Sequence, residues 1–306
     1  MAAIDQPIHP GKPAMRIDRN GLTVRGDTVY SDAKGDDKYS IRKRAESVLE
    51  RMGEFLRRVM EPDEAIFYIA RAQVMPGIFE QIFMGWLGAI SMPGALLVFT
   101  NKRIIALRVR NKGLQNWEWD RGVRVARWGD IVSLKVQGLF SRVLTLKLRS
   151  GQKMSYWRVT ATDAKKISLL VNALQPGGTG ETSSAGAMIS LCPGCLSTLT
   201  EKHYQCPNCQ MQFKTEKSLM WRGLLIPGGA CFYVGMIPLG VLRLIGESIF
   251  LLVTLGLLID TLNFPSAEST SNAIGGLIAL VLLLVFEKAI GIAHSRRIVR
   301  DFLPAN

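Results

Sequence analysis

The chain has little of what catalysis usually needs. Only three histidines, His9, His203 and His294, occur in 306 residues. No Ser/His/Asp or Cys/His grouping, no phosphate-cradling glycine loop and no open metal site is readable, so the expectation is a protein that is not an enzyme. Cysteine is scarce as well: five residues are too few for a disulfide-dense mini-protein. The first 40 residues hold no apolar run of signal length, which predicts that the N-terminus stays in the cytoplasm and that residues 1–40 form a mobile tail. With 48% apolar residues the chain is neither collagen-like nor mainly disordered.

What is present is divided unevenly. The mean hydropathy is +0.16 although 21% of the residues are charged, which points to a polar part joined to a very apolar part. Of a net charge of +13, residues 61–175 supply most, with 17 basic and eight acidic groups, whereas residues 223–306 carry five of each. A basic domain beside an apolar segment favours an anionic partner: a membrane surface, an acidic protein or nucleic acid. Lys/Arg-rich flanks are also the ordinary property of the cytoplasmic side of a membrane protein.

The apolar runs lie late. One extends from about Leu244 to Phe264 and another from Ala273 to Ala293, each near the ~20 residues a helix needs to cross a bilayer. The stretch 265–272 between them has no Lys or Arg, and Arg296, Arg297 and Arg300 follow, so the positive-inside rule puts 265–272 outside and the C-terminal tail 294–306 in the cytoplasm. A third apolar stretch, Gly223–Leu242, is broken by Pro227-Gly228-Gly229 and Pro238. It reads as a re-entrant or interfacial piece with two spans, or as a further crossing with three. Arg243, Glu247, Asp260, Glu287 and Lys288 are charges within this membrane region, residues 218–293. Arg243 and Glu247, four apart, can pair on one helix face; Asp260 lies near a segment end. The alternative is an ion or small-solute conduit that uses Glu247 and Asp260.

Residues Gly228-Gly229, Phe232-Tyr233-Val234-Gly235, the helix beginning Gly240-Val-Leu and the closing Ile259-Asp260 resemble a small two-helix transmembrane domain with a Phe-Tyr-x-Gly signature. Ala230 and Cys231 stand where that family often has a His. The resemblance implies membrane embedding and no defined activity.

Four cysteines fall as Cys192-Pro-Gly-Cys195 and Cys206-Pro-Asn-Cys209. Two Cys-x-x-Cys pairs at this spacing read as a four-thiolate zinc site, with Cys192, Cys195, Cys206 and Cys209 as ligands of one structural Zn2+. Each pair predicts a tight knuckle, with Pro193 and Pro207 presetting the turn. A redox dithiol and a rubredoxin-type iron centre are the competing readings. The segment 191–213 resembles a short zinc ribbon, except that Leu196 and Gln210 replace the Gly often found after each knuckle. Its few basic and aromatic side chains make nucleic acid an unfavoured partner. A membrane-tethered zinc-ribbon regulator that contacts nucleic acid is the second functional hypothesis.

Between 62 and 175 the alternation of apolar and polar residues predicts seven strands: Ala65–Val74, Ala95–Thr100, Arg103–Arg110, Val123–Arg127, Ile131–Gln137, Arg142–Leu148 and Lys153–Val159. Turns are expected at Asn101-Lys102 and Arg149-Ser150-Gly151, and a helix capped by Thr162-Asp163 and ended by Gly177-Gly178 closes the domain. A strongly bent sheet or small barrel plugged by a helix follows. Ala95-Leu-Leu-Val-Phe-Thr-Asn-Lys-Arg-Ile-Ile105, Trp128-Gly-Asp-Ile-Val132 and the final helix resemble the bacterial pleckstrin-homology-like, GRAM-like domains. That resemblance implies an α+β module that binds phospholipid or protein without catalysis. Met75–Pro93 departs from it and reads as an inserted apolar loop or helix. Candidate ligand contacts are Lys102 and Arg103 at the hairpin and Arg121, Arg124 and Arg127 on the next strand. Upstream, 41–61 is an amphipathic helix whose apolar face packs on the neighbouring domain, pairs with a second copy or lies on anionic lipid. Residues 176–190 read as a flexible linker.

The sum is a multidomain chain: a pleckstrin-like sheet domain, a zinc ribbon and a helical membrane hairpin. The expected role is a bacterial inner-membrane adaptor whose cytoplasmic half binds anionic lipid or an unidentified protein, with homo-oligomers left open.

Overall fold

The structure is a computed structural model and describes residues 16–17, 21–75, 92–111, 117–138, 141–174, 182–183, 185–263 and 267–305. It forms two compact units. The first comprises Met1–Met75, Met92–Thr200 and Cys206–Cys209, the second Pro76–Ser91, Glu201–Gln205 and Gln210–Asn306. The expected insertion 76–91 lies outside the described residues.

The first unit is built on an antiparallel sheet. Its strands are β1 (Arg16–Ile17), β2 (Thr23–Val24), β3 (Ile66–Val74), β4 (Gly94–Thr100), β5 (Arg103–Asn111), β6 (Trp117–Arg127), β7 (Ile131–Gln137), β8 (Arg142–Leu148), β9 (Lys153–Val159), β10 (Ile189–Leu191) and β11 (Thr198–Leu199). Its helices are α1 (Gly26–Val29), α2 (Tyr39–Val59) and α3 (Ala161–Leu174). The order across the sheet is β11-β10-β6-β5-β4-β3-β9-β8-β7, with β2 joining β3 in parallel on a side branch. Two meanders, β3–β6 and β7–β9, are therefore joined through the β3–β9 pair. The seven expected strands are β3 to β9, and β6 begins earlier than expected, at Trp117.

Every residue of β4 is buried, because the sheet is covered on both faces. Ala95, Leu97 and Phe99 enter one core with Ile167 and Leu170 of α3 and Leu144 and Leu146 of β8. Leu96 and Val98 enter the other with Val48, Leu49, Met52 and Leu56 of α2. Strands buried on both faces lose the apolar/polar alternation and become continuous apolar runs, as Gly94–Phe99 is. The apolar stripe of α2 is used up in this packing. It is part of the sheet unit.

Three expectations need correction. Residues 21–40 are not a mobile tail: Leu22, Val24 and Val29 are buried in the core under α2. Arg25 and Asp27, both buried, pair at 2.9 Å, and Arg25 lies over the Phe67 ring. The buried Lys166 of α3 donates to the Ser31 hydroxyl and the Asp32 carbonyl, each at 2.9 Å. Composition hides this segment, because its few apolar residues are spaced by the polar groups that lock it down. Second, α3 is capped by Thr160, whose hydroxyl accepts from the Asp163 amide at 3.1 Å; Asp163 itself is turned inward. Third, part of the expected linker is pinned. The Ser183 amide donates to the buried Asp130 carboxylate at 2.9 Å, Met188 is buried, and Ile189–Leu191 adds a strand beside β6.

The second unit contains α4 (Glu216–Leu225), α5 (Gly229–Tyr233), α6 (Ile237–Asn263) and α7 (Ala267–Val299). The stretch 223–242 does not form a span: α4 and α5 are short and the chain turns sharply between them. Gly228 sits at φ +65°, and a Cβ there would come within 2.3 Å of the Gly240 carbonyl oxygen. Gly240 in turn gives room to the Phe232 ring, 2.6 Å from where its Cβ would stand. These contacts account for Gly228 and Gly240 without reference to any family.

Candidate functional site

In the cysteine cluster, the ligand atoms of Cys192, Cys195, Cys206 and Cys209 all lie within 4.8 Å of one another. Cys192 and Cys209 approach to 3.5 Å and Cys195 and Cys206 to 3.4 Å, far beyond a disulfide bond. Thiolates bound at about 2.3 Å around a tetrahedral zinc would stand about 3.8 Å apart, so the donor set fits such an ion with small adjustment.

The backbone around the sulfurs is that of two knuckles. Cys192 Sγ accepts from the amides of Gly194 and Cys195, and Cys206 Sγ from those of Asn208 and Cys209. Leu196 and Gln210, each one residue past a knuckle, both sit at φ +62°. This is the left-handed conformation that favours glycine, and it explains why glycine is common there and why its absence does not abolish the turn. Ser197 was not singled out in the sequence, yet its hydroxyl lies 3.0 Å from Cys195 Sγ and 3.1 Å from Cys206 Sγ. Hydrogen bonds from Ser197 hold the Cys195 thiol down at about 6, while burial pushes Cys192 up to about 12. A metal would supply the positive charge that lets the buried thiol ionise. Four thiolates complete a tetrahedral coordination sphere, so the site can brace β10 and β11 but offers no position for a substrate.

The hairpin cations expected to hold a ligand are engaged by carboxylates of residues 61–64. Arg103 forks onto Glu64 at 2.7 Å and 3.0 Å and donates to the Val59 carbonyl. Lys102 pairs with Glu61 at 2.8 Å and Asp63 at 2.5 Å, and Arg127 reaches Glu61 at 3.2 Å. Thr100 accepts from the Lys102 and Arg103 amides and donates to Glu64. Asn101 receives the Ala65 amide, and the Trp128 indole donates to the Thr100 carbonyl at 2.9 Å. Thr100-Asn-Lys-Arg103 and Trp128 thus lock the β4–β5 turn onto residues 59–65. Arg124 is half-buried, and Arg121 is exposed at φ +57°. Lys102, Arg103 and Arg127 thus come together on Glu61.

In the second unit, α6 and α7 are long and apolar enough to cross a membrane, with mean hydropathies of 2.0 over Ile237–Asn263 and 2.3 over Ile274–Val299. Their large side chains, among them Leu252, Leu262, Leu282 and Val285, are exposed around the helices. Water would not tolerate such a surface; hydrocarbon would. The expected Arg243–Glu247 pair within one helix does not form. Arg243 pairs with Glu287 at 3.0 Å and Lys288 with Glu247 at 2.6 Å, both across the α6–α7 contact. Glu247 also accepts from the Gly228 amide at 3.2 Å, and Lys288 donates to the Gly223 carbonyl at 3.1 Å. Cross-helix pairing satisfies each charge and the broken backbone of α4–α5 together, which a pair on one helix face would not do. Asp260, on the last turns of α6, is exposed and distant in sequence from these pairs.

The ends of this unit meet. The Lys214 amide donates to the Leu303 carbonyl and the Ala305 amide to the Gln212 carbonyl, at 2.8 Å and 3.0 Å, and Phe213 bridges Pro304. Glu216 at the start of α4 pairs with Arg300 at 2.9 Å and with Arg296. Residues 212–216 and 296–305 therefore lie at one end of the helical hairpin.

No family model and no curated protein matches the chain. Among solved structures, a protein with a pleckstrin-homology domain from Shewanella loihica aligns over 43% of this chain and 95% of its own, with 13% identity and a TM-score of 0.24. The hSac2 domain of the human phosphoinositide phosphatase Sac2 aligns over 48% and 88%, with 9% identity and a TM-score of 0.28. Both likenesses are partial, and the fold described above stands on strand order and packing alone.

Proposed function

We propose that the chain is a non-enzymatic adaptor anchored in a membrane by the α6–α7 hairpin. A pleckstrin-like sheet domain and a zinc-braced β10–β11 hairpin are its working parts. The pairing of residues 212–214 with 303–305 carries this reading. It brings both ends of the apolar hairpin to one side, as two crossings demand. Arg296, Arg297 and Arg300 share that side, which by the positive-inside rule is the cytoplasm of a bacterial inner membrane. Two joined meanders closed by α3, and a Thr100-Asn-Lys-Arg103 turn locked by Trp128, support the pleckstrin-like assignment. Zinc is the metal favoured by four thiolates on two knuckles. The pairing of Arg243 with Glu287 and of Glu247 with Lys288 argues for a structural role of these charges and against a conduit.

Labelling of single cysteines tests the arrangement. A membrane-impermeant maleimide should label Thr270→Cys in intact cells and Ser141→Cys only after permeabilisation. Labelling of both, or of Ser141→Cys alone, in intact cells would sink the proposed topology.

A further inference from the structure

With Lys102, Arg103 and Arg127 neutralised by Glu61, Asp63 and Glu64, the excess positive charge of the sheet unit must be sought elsewhere. It lies on β7–β9. Between Asp130 and Asp163 the chain has six basic residues, Lys135, Arg142, Lys147, Arg149, Lys153 and Arg158, and no acidic one. One face of these strands is spent on the core through Leu134, Leu144, Leu146 and Tyr156. The register sets the other face: Ser133, Lys147 and Lys153 share one rung, and Lys135, Thr145 and Ser155 the next. All three lysines are exposed and none makes an ion pair among the described residues.

Lys147 stands directly opposite Lys153. Directly opposed side chains have Cβ atoms about 4.5–5.5 Å apart and diagonal ones about 7–8 Å, so Lys147 shares reach of one phosphate with Lys153 opposite it and with Lys135 on its diagonal. Like charges in opposed positions destabilise a sheet, and a rule broken without local compensation marks a surface shaped by something other than stability.

We infer that this face of β7–β9, and not the Asn101–Arg103 turn, is where the domain meets anionic lipid headgroups. The chemistry favours lipid over nucleic acid. Lysines act as point charges on phosphate without the planar fork that reads bases, and Trp157, two residues beyond Ser155 on β9, is half-buried with the Arg158 guanidinium over its ring. Ser133, Thr145 and Ser155 add hydroxyls that suit phosphate and glycerol oxygens. The inference rests on the anchoring reading above. A domain tethered to a bilayer meets headgroups at high effective concentration, so a shallow cationic face suffices.

The test is lysine footprinting of the unmodified full chain in proteoliposomes. An impermeant acetylating reagent is applied to vesicles of phosphatidylcholine alone and of phosphatidylcholine with phosphatidylglycerol. Lys135, Lys147 and Lys153 should label about fivefold more slowly in the anionic vesicles, relative to Lys43 on α2. The protection should vanish in about 1 M salt, where the screening length falls to about 3 Å. Equal labelling in both lipids, in protein that resists carbonate extraction, overturns the inference and leaves the anchoring reading intact. Extraction by carbonate overturns the anchoring reading whatever the lysines do. Protection of the three lysines by a single-stranded DNA oligomer in neutral vesicles, with none from anionic lipid, also overturns the inference.

Discussion

Arg44 and Asp163 lie 119 residues apart in the chain and join α2 to the first turn of α3 through a forked ion pair at 2.6 Å and 3.0 Å. The Tyr68 phenol on β3 donates to the same carboxylate at 2.6 Å and accepts from Arg44 at 3.1 Å. Burial, and then the Asp163 charge, pushes the ionisation of Tyr68 well above its ordinary value, so it remains a donor. Three elements are bound at one buried point.

Removing the carboxylate should therefore do more harm than removing the phenol. Asp163→Ala leaves the Arg44 guanidinium without its counter-ion and is expected to cost about 3–5 kcal/mol. Tyr68→Phe removes one hydrogen bond and should cost about 1–2 kcal/mol. The double variant should cost less than the two added, because both changes act on one network. Thermal unfolding of the detergent-solubilised chain, followed by near-UV circular dichroism, measures all three.

The Glu61 cluster gives the sheet unit an acid limb. The hydrogen bond from Lys102, aided by Arg103 and Arg127, holds Glu61 below its ordinary 4.5. A carboxyl whose folded pKa is depressed contributes stability above its unfolded pKa and loses it as pH falls through the folded one. Lys102, raised by Asp63 and Glu61, works in the opposite sense and loses its contribution only as pH rises past 10.5. Unfolding temperature should thus hold from about pH 5 to 9 and drop below about 4.5, and Glu61→Gln should flatten that drop. The effect is about 1 kcal/mol or less for a pair this open to solvent. An unchanged acid limb in the variant would assign it to other carboxylates.

Local signals in the sequence were enough for much of the fold. The alternation in Ile131–Gln137, Arg142–Leu148 and Lys153–Val159 fixed three strands to the residue, and two Cys-x-x-Cys pairs brought four sulfurs together. What failed was non-local. Leu22, Val24 and Val29 read as tail because only the sheet they pack against makes them core. Lys102 and Arg103 read as free because Glu61 and Glu64 belong to a different element. Arg243 was assigned the nearest acid in sequence, whereas its partner Glu287 comes from the next helix. The lysine face of β7–β9 was legible in principle, since the run without acid is visible in the letters, but only the register puts Lys147 opposite Lys153.

The metal should be one zinc per chain, lost with Cys192→Ser. The strands β3–β9 do not depend on it, so chelation should free the β10–β11 hairpin and spare the main unfolding transition. Gln210→Gly should act the other way. It relieves a left-handed backbone worth about 1–2 kcal/mol, less the added chain entropy of glycine, and should slow zinc release to a colorimetric chelator by about fivefold. Release as fast as in the parent chain would mean that the knuckle is not strained at that position.

The Glu247–Lys288 pair separates assembly from transport. Its carboxylate also holds the Gly228 amide, and its ammonium the Gly223 carbonyl, so the pair fixes α4 and α5 against the hairpin. Glu247→Ala leaves a lysine without its counter-ion in apolar surroundings, and the expected cost is about 3–5 kcal/mol, read as a lowered unfolding temperature in detergent. Exchanging the two, Glu247→Lys with Lys288→Glu, restores opposite charges but turns a cation toward the Gly228 amide, so the rescue should be partial. A conduit would behave differently: Glu247→Gln with Asp260→Asn would lower ion flux in proteoliposomes while the hairpin stayed assembled. Unchanged flux together with a lowered unfolding temperature is the outcome expected of a pair that holds helices together.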